Sequence, residues 1–125
     1  MSVCLIFLSS CGDVAIVKKI GDKTNSLVIS GYYISGGKTF KKNLYKTDNK
    51  DEIRRILGFI TDDDFPENSC GYNGIIELKM NDGFMNMEFN TDDKCSRIVF
   101  TWQDLLFSKK ISPEGIIYLN NLITK

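Results

Sequence analysis

Polar and hydrophobic residues alternate most regularly between Cys70 and Cys95. The middle of this stretch, Lys79-Met80-Asn81-Asp82-Gly83-Phe84-Met85, contains Asp-Gly, a strong signal for a two-residue hairpin turn. With Asp82 and Gly83 as the loop, Asn81 pairs with Phe84 and the register of both strands follows. Tyr72, Ile76, Leu78 and Met80 then share one face with Met85, Met87 and Phe89. Asn73, Glu77, Lys79 and Asn81 share the other with Phe84, Asn86, Glu88 and Asn90. Cys70 and Cys95 are equidistant from this turn, so the register makes them a cross-strand pair and predicts a disulfide. A slip of one residue scrambles both the cysteine pairing and the apolar stripe. As a non-hydrogen-bonded pair their Cα atoms would stand about 4.5 Å apart, at the short end of disulfide geometry. Twist or a bulge near Thr91-Asp92-Asp93 would relax that spacing.

The same reading extends along the chain. Val14 to Ile20, Leu27 to Ile34 and Thr39 to Lys46 are rich in β-branched and aromatic residues and predict three strands of a meander. Ser35-Gly36-Gly37 is the turn between the second and third. Asn49, with Glu52 three residues on, has the pattern of a capping box. Ile53, Ile56, Leu57 and Ile60 then fall on one helical stripe, and Thr61 to Asn68 breaks it. Ile98 to Trp102 and Leu105 to Ile111 predict an antiparallel pair. Ser112-Pro113-Glu114 starts a second helix that buries Ile116, Leu119 and Ile123. The expected fold is α+β: an antiparallel sheet of six or seven strands packed against two helices, forming a single domain over residues 12–125.

Composition narrows the chemistry. The 125 residues carry 16 basic and 16 acidic side chains and no histidine. Zero net charge speaks against nucleic acid as a partner, because a phosphate-binding chain usually carries excess positive charge. Without histidine the commonest general base and metal ligand are both missing. No apolar run approaches the roughly 18–20 residues that cross a bilayer.

The start of the chain differs from the rest. Residues 1–11 are uncharged and end in small residues, and the first charge is Asp13. Leu8-Ser9-Ser10-Cys11 resembles the bacterial lipobox, in which the cysteine is lipidated and becomes the new N-terminus. The resemblance covers these four positions and the apolar run before them. It departs from the pattern in lacking a basic leader and in the shortness of Val3–Leu8, which a start upstream of Met1 would explain. The alternative is that residues 2–9 form a buried strand of a cytosolic protein. In layout the chain resembles small bacterial lipoproteins of unknown function. That resemblance implies lipid on Cys11 and, with Gly12 rather than Asp following, retention at the outer membrane facing the periplasm. Cys4 would leave with the leader, and Cys70 and Cys95 would remain as a pair in an oxidising compartment.

Other motifs carry less. Gly31 to Thr39 has the look of a phosphate-binding loop, but its glycine spacing is one residue too long, and a glycine hairpin turn is expected instead. Asp62, Asp63, Asp64 and Glu67 lack the spacing and central glycine of a calcium loop and read as a solvated acidic loop. Glu77 and Glu88 would face one another across the hairpin, an arrangement that sometimes serves acid–base chemistry. Lys38, Lys41, Lys42 and Lys46 make one strand basic. Phe84 stands alone on a polar face. Phe84, Lys38, Lys41, Lys42, Asp62, Asp63 and Asp64 are therefore the candidate contacts for a protein partner. No cofactor, metal or nucleotide is expected. The function expected is a non-enzymatic periplasmic binding module, such as an immunity or inhibitor protein against a secreted toxin or wall enzyme. A cytosolic or phage-encoded interaction protein with reduced cysteines is the second reading, and a carboxylate-based enzyme the third.

Overall fold

The computed structural model describes residues 8–66 and 70–124. Three helices, α1 (Leu8–Lys23), α2 (Lys50–Leu57) and α3 (Pro113–Ile123), accompany seven strands. The strands are β1 (Thr24–Ser35), β2 (Lys38–Thr47), β3 (Ile60–Asp64), β4 (Gly74–Met80), β5 (Gly83–Asn90), β6 (Arg97–Trp102) and β7 (Leu105–Ile111). They form one antiparallel sheet in the order β2-β1-β4-β5-β6-β7-β3. This is the α+β architecture expected from the sequence.

Alternation sorts the sheet into two faces. One carries Leu27, Ile29, Ile76, Leu78, Met87, Phe89, Ile98, Phe100 and Ile111, which join Ile20 of α1, Ile53, Ile56 and Leu57 of α2 and Leu119 of α3 in a single core. All three helices thus cover the same side. At roughly 25 cal/mol per Å² of apolar area buried, this cluster is the main source of stability.

The segment Val14–Ile20 lies within α1 and is not a strand. Ile16, Val17 and Ile20 fall on one helical face toward the core, while Ala15, Lys18 and Lys19 are exposed. The helical penalty of β-branched residues is a few tenths of a kcal/mol each, which packing against α2 overrides. The C-terminal end of α1 is closed by its surroundings. Lys50 Nζ donates to the carbonyls of Gly21, Asp22 and Thr24 at 3.3, 2.9 and 2.6 Å, and Thr24 Oγ1 donates to Ile20 O at 2.7 Å. A cation on the last carbonyls of a helix is the favourable sense of its dipole. The backbone of Leu8–Cys11 begins α1. The remainder of the leader-like segment, including Cys4, lies outside the described residues, as does Glu67 of the acidic stretch.

The hairpin β4–β5 turns one residue earlier than Asp-Gly suggests. Met80 pairs with Gly83, so Asn81 and Asp82 are the loop. Neither has a positive φ. The unusual backbone falls on Gly83 instead, at φ 146°. The register is displaced by two residues from the expected one, and a displacement of two leaves the side chains within β4 and β5 on their predicted faces. Tyr72, which precedes β4, meets the Arg97 guanidinium instead of joining the core. Cys70 and Cys95 are bonded, but outside the ladder, with Cα atoms 6.0 Å apart. A turn closed by Cys95 N–H to Asp92 O at 2.8 Å takes up the two extra residues.

Residues 60–64 are also not simply a break. They form edge strand β3, which pairs with β7. Lys109 of β7, only 2% exposed, donates to Asp64 Oδ1 at 2.6 Å. A buried ammonium needs such a carboxylate, and that need outweighs the poor strand propensity of aspartate.

Candidate functional site

Among the described residues, no helix covers the sheet face opposite the core. The middle of this face is ordered by two polar links between strands. Tyr32 of β1 donates to Glu88 Oε2 of β5 at 3.0 Å, reaching across β4, where Ile75 lies between them at 7% exposure. Lys41 of β2 meets Glu77 Oε2 of β4 at 2.9 Å. Burial first, and then the bond and charge of Glu88, push the Tyr32 hydroxyl up to about 12. It therefore holds its proton at neutral pH and acts as a donor. Glu77 and Glu88 do not face one another, since Glu77 pairs with Asn86 and Glu88 with Ile75. Each already has its own partner.

Beside this ordered strip lies a shallow hollow of about 650 Å³, lined by Tyr32, Ile75, Phe84, Asn86, Glu88, Val99, Thr101 and Leu106 among others. Phe84 is 80% exposed and Leu106 is 61% exposed. The lining is more polar than apolar: the side chains of Phe84 and Leu106 stand exposed beside the Glu88 carboxylate, the Asn86 amide and the Thr101 hydroxyl. At one end of the face, Arg97 is buried with its guanidinium 4.8 Å from the Tyr72 ring centroid.

The residues singled out from sequence do not converge on one spot. Phe84 and Lys41 belong to the open face. Lys38 and Lys42 point to its opposite side, on edge strand β2. Asp62, Asp63 and Asp64 lie on β3, at the far edge of the sheet, and Asp64 is taken by Lys109. Cys11 is within α1, remote in sequence from the disulfide of Cys70 and Cys95. Gly36 and Gly37, at φ 59° and 79°, form the expected hairpin turn between β1 and β2. Tyr32, Val99 and Leu106 were missed. The alternation of Leu106, Ser108 and Lys110 against Leu105, Phe107 and Ile111 would have put Leu106 on the outer face.

A second hollow, about 360 Å³, lies on the helix side between α1, α2 and the ends of β3, β6 and β7. Its lining is mainly apolar, and two of its cations are already matched: Arg54 by Asp22 and Asp51, and Lys109 by Asp64. Among the described residues no group of three or more Cys, Asp or Glu is placed to hold a metal ion, and no helix is long and apolar enough to cross a membrane.

The chain matches no family model, and comparison with the curated proteins and with solved structures finds no similar protein.

Proposed function

We propose that this chain is a non-enzymatic binding module of the bacterial cell envelope, tethered through Cys11, that captures a protein partner on the open face of its sheet. An immunity or inhibitor protein acting on a secreted toxin or wall enzyme fits this description. The observation that carries the reading is the one-sided packing. Three helices cover one face, and the other bears Phe84 and Leu106 uncovered beside a hydrogen-bonded strip. A rigid surface of this kind needs no reacting group to work. The Cys70–Cys95 disulfide supports the export part of the proposal, since such a bond persists in oxidising compartments.

A photo-crosslinking amino acid at position 84, expressed in the native cell, is expected to give one discrete adduct in the envelope fraction. The same group at Ile117 of α3 is expected to give none. Against the isolated partner, Phe84→Asp should weaken binding by about thirty-fold or more, the size of a lost interface anchor. Undiminished binding by Phe84→Asp would refute the assignment of the surface. Intact mass of the native protein decides the compartment. A diacylglyceryl group on Cys11, with two hydrogens missing at Cys70 and Cys95, is the expected result. An unmodified, reduced chain would turn the reading to a cytosolic interaction protein.

A further inference from the structure

The hairpin β1–β2 extends beyond the body of the sheet. β1 pairs with β4 only as far as Gly31, and Tyr33 to Ser35 pair solely with Lys38 to Phe40. Every residue from Tyr33 to Asn43 is exposed. Three of the large exposed hydrophobic residues are gathered on this arm: Tyr33 at 49%, Ile34 at 76% and Phe40 at 44% exposure. Tyr33 and Phe40 stack with ring centroids 5.7 Å apart. Between Gly31 and Thr47 there are four lysines and no acidic residue, on a chain whose net charge is zero.

Lysines on an edge strand have an ordinary explanation, which is to deter pairing with another sheet. That purpose does not require apolar side chains at the tip. The distribution around the ribbon is more telling. Tyr33 and Phe40 lie on the side that faces the helices lower down, together with Lys38 and Lys42. Ile34 lies on the other side, as does Lys41, which bonds Glu77 at the arm's base. Apolar groups therefore lie on both sides of the arm, with Lys38 and Lys42 on the side of the two rings and Lys41 on the other side already matched by Glu77. A groove in a partner protein would meet one side. An interfacial lipid layer meets both.

We infer that the β1–β2 arm docks on an anionic lipid surface, its tip entering the headgroup region and its lysines meeting lipid phosphates. Aromatic rings and lysine stems are at home at that depth. The ladder pairs the inner peptide groups of the ribbon, and its outer edges remain among hydrated headgroups, so insertion is shallow. The arm would add a second attachment to any single lipid-linked anchor, and two weak attachments hold far better than one.

The test uses the full chain carrying Cys11→Ser, so that no covalent lipid contributes. Co-sedimentation is measured with vesicles of phosphatidylglycerol and phosphatidylcholine, and with phosphatidylcholine alone. Binding is expected on the anionic vesicles, and raised salt should release it. Lys38→Gln with Lys42→Gln should weaken it roughly five-fold per lysine. Ile34→Ser should weaken it about ten-fold, and Ile117→Ser on α3 should leave it unchanged. Phe40→Trp should give an emission blue shift on binding that the parent chain, with only Trp102, does not show. Ile34, Lys38, Phe40, Lys42 and Ile117 are exposed, and near-ultraviolet circular dichroism checks that the variants keep their fold. Absence of sedimentation on anionic vesicles, or sedimentation indifferent to both the lysine and the Ile34 variants, overturns the inference. So does retention on single-stranded DNA without vesicle binding, which would give the arm to nucleic acid instead.

Discussion

Tyr32 shows how one side chain can order a surface without reacting there. Its hydroxyl donates across β4 to Glu88, and burial together with that carboxylate pushes its titration up to about 12. The folded-state value is above the ordinary one of about 10. The stability it contributes is therefore complete below about pH 10 and is lost as pH rises through about 12. Glu88→Gln removes the charge and should bring the Tyr32 transition down in an ultraviolet titration; an unmoved transition would show that Glu88 has no part in it. Glu52 works in the opposite sense. Hydrogen bonds from Tyr45 at 2.6 Å and Thr47 at 2.7 Å hold its carboxyl below the usual range. Its contribution is present above the ordinary carboxylate value and is lost as pH falls through the lowered one. Gly74 is a steric case. A Cβ there would overlap the ring of Phe89, which is fully buried and has nowhere to move. Gly74→Ala should cost about 1–3 kcal/mol in urea unfolding, the usual range for overpacking.

Helix caps were the most legible elements. Asn49 Oδ1 accepts from Glu52 N–H at 3.1 Å, and Ser112 Oγ accepts from Gly115 N–H at 3.1 Å, with Pro113 in the first turn. Asn49→Ala and Ser112→Ala should each lose about 1 kcal/mol by chemical denaturation, with little change in the denaturant slope. Caps are legible because donor and acceptor are three residues apart and no distant element arbitrates. The strand pair after Arg97 was legible for the same local reason. Two other segments were not. Val14–Ile20 has strand composition, yet it is helical, packed on the core by Ile16, Val17 and Ile20 and followed by a helix end that Lys50 closes at Gly21, Asp22 and Thr24. Thr61-Asp62-Asp63-Asp64 has loop composition, and only Lys109, some 45 residues later, draws it into the sheet. In both, a tertiary partner outweighed local preference. The β4–β5 hairpin falls between these cases. Its faces follow from alternation, whereas its register depended on whether glycine sits in the turn or just after it. Of the surface, Phe84 was legible as an apolar residue out of pattern. Tyr32 and Leu106 required knowing which strands lie side by side.

For the molecule as a whole, the disulfide joins the two segments that flank the central hairpin. In the chain-entropy account, closing a loop of this length is worth about 3–4 kcal/mol, so Cys70→Ser with Cys95→Ser should lower the unfolding free energy by that amount. A loss well under 1 kcal/mol would mean that the unfolded chain is already confined there. The strand order has a bearing on how the molecule assembles. β4 to β7 follow one another in both sequence and space, and each has its neighbour at hand as soon as it exists. The first-made strands, β1 and β2, can zip together at once, yet the inner flank of β1 stays bare until β4 arrives. β3 waits longer still, because its mate is β7. A nascent chain therefore passes through a stage in which its earliest half shows unsated β-flanks to its surroundings, the period when stray pairing with other chains is easiest.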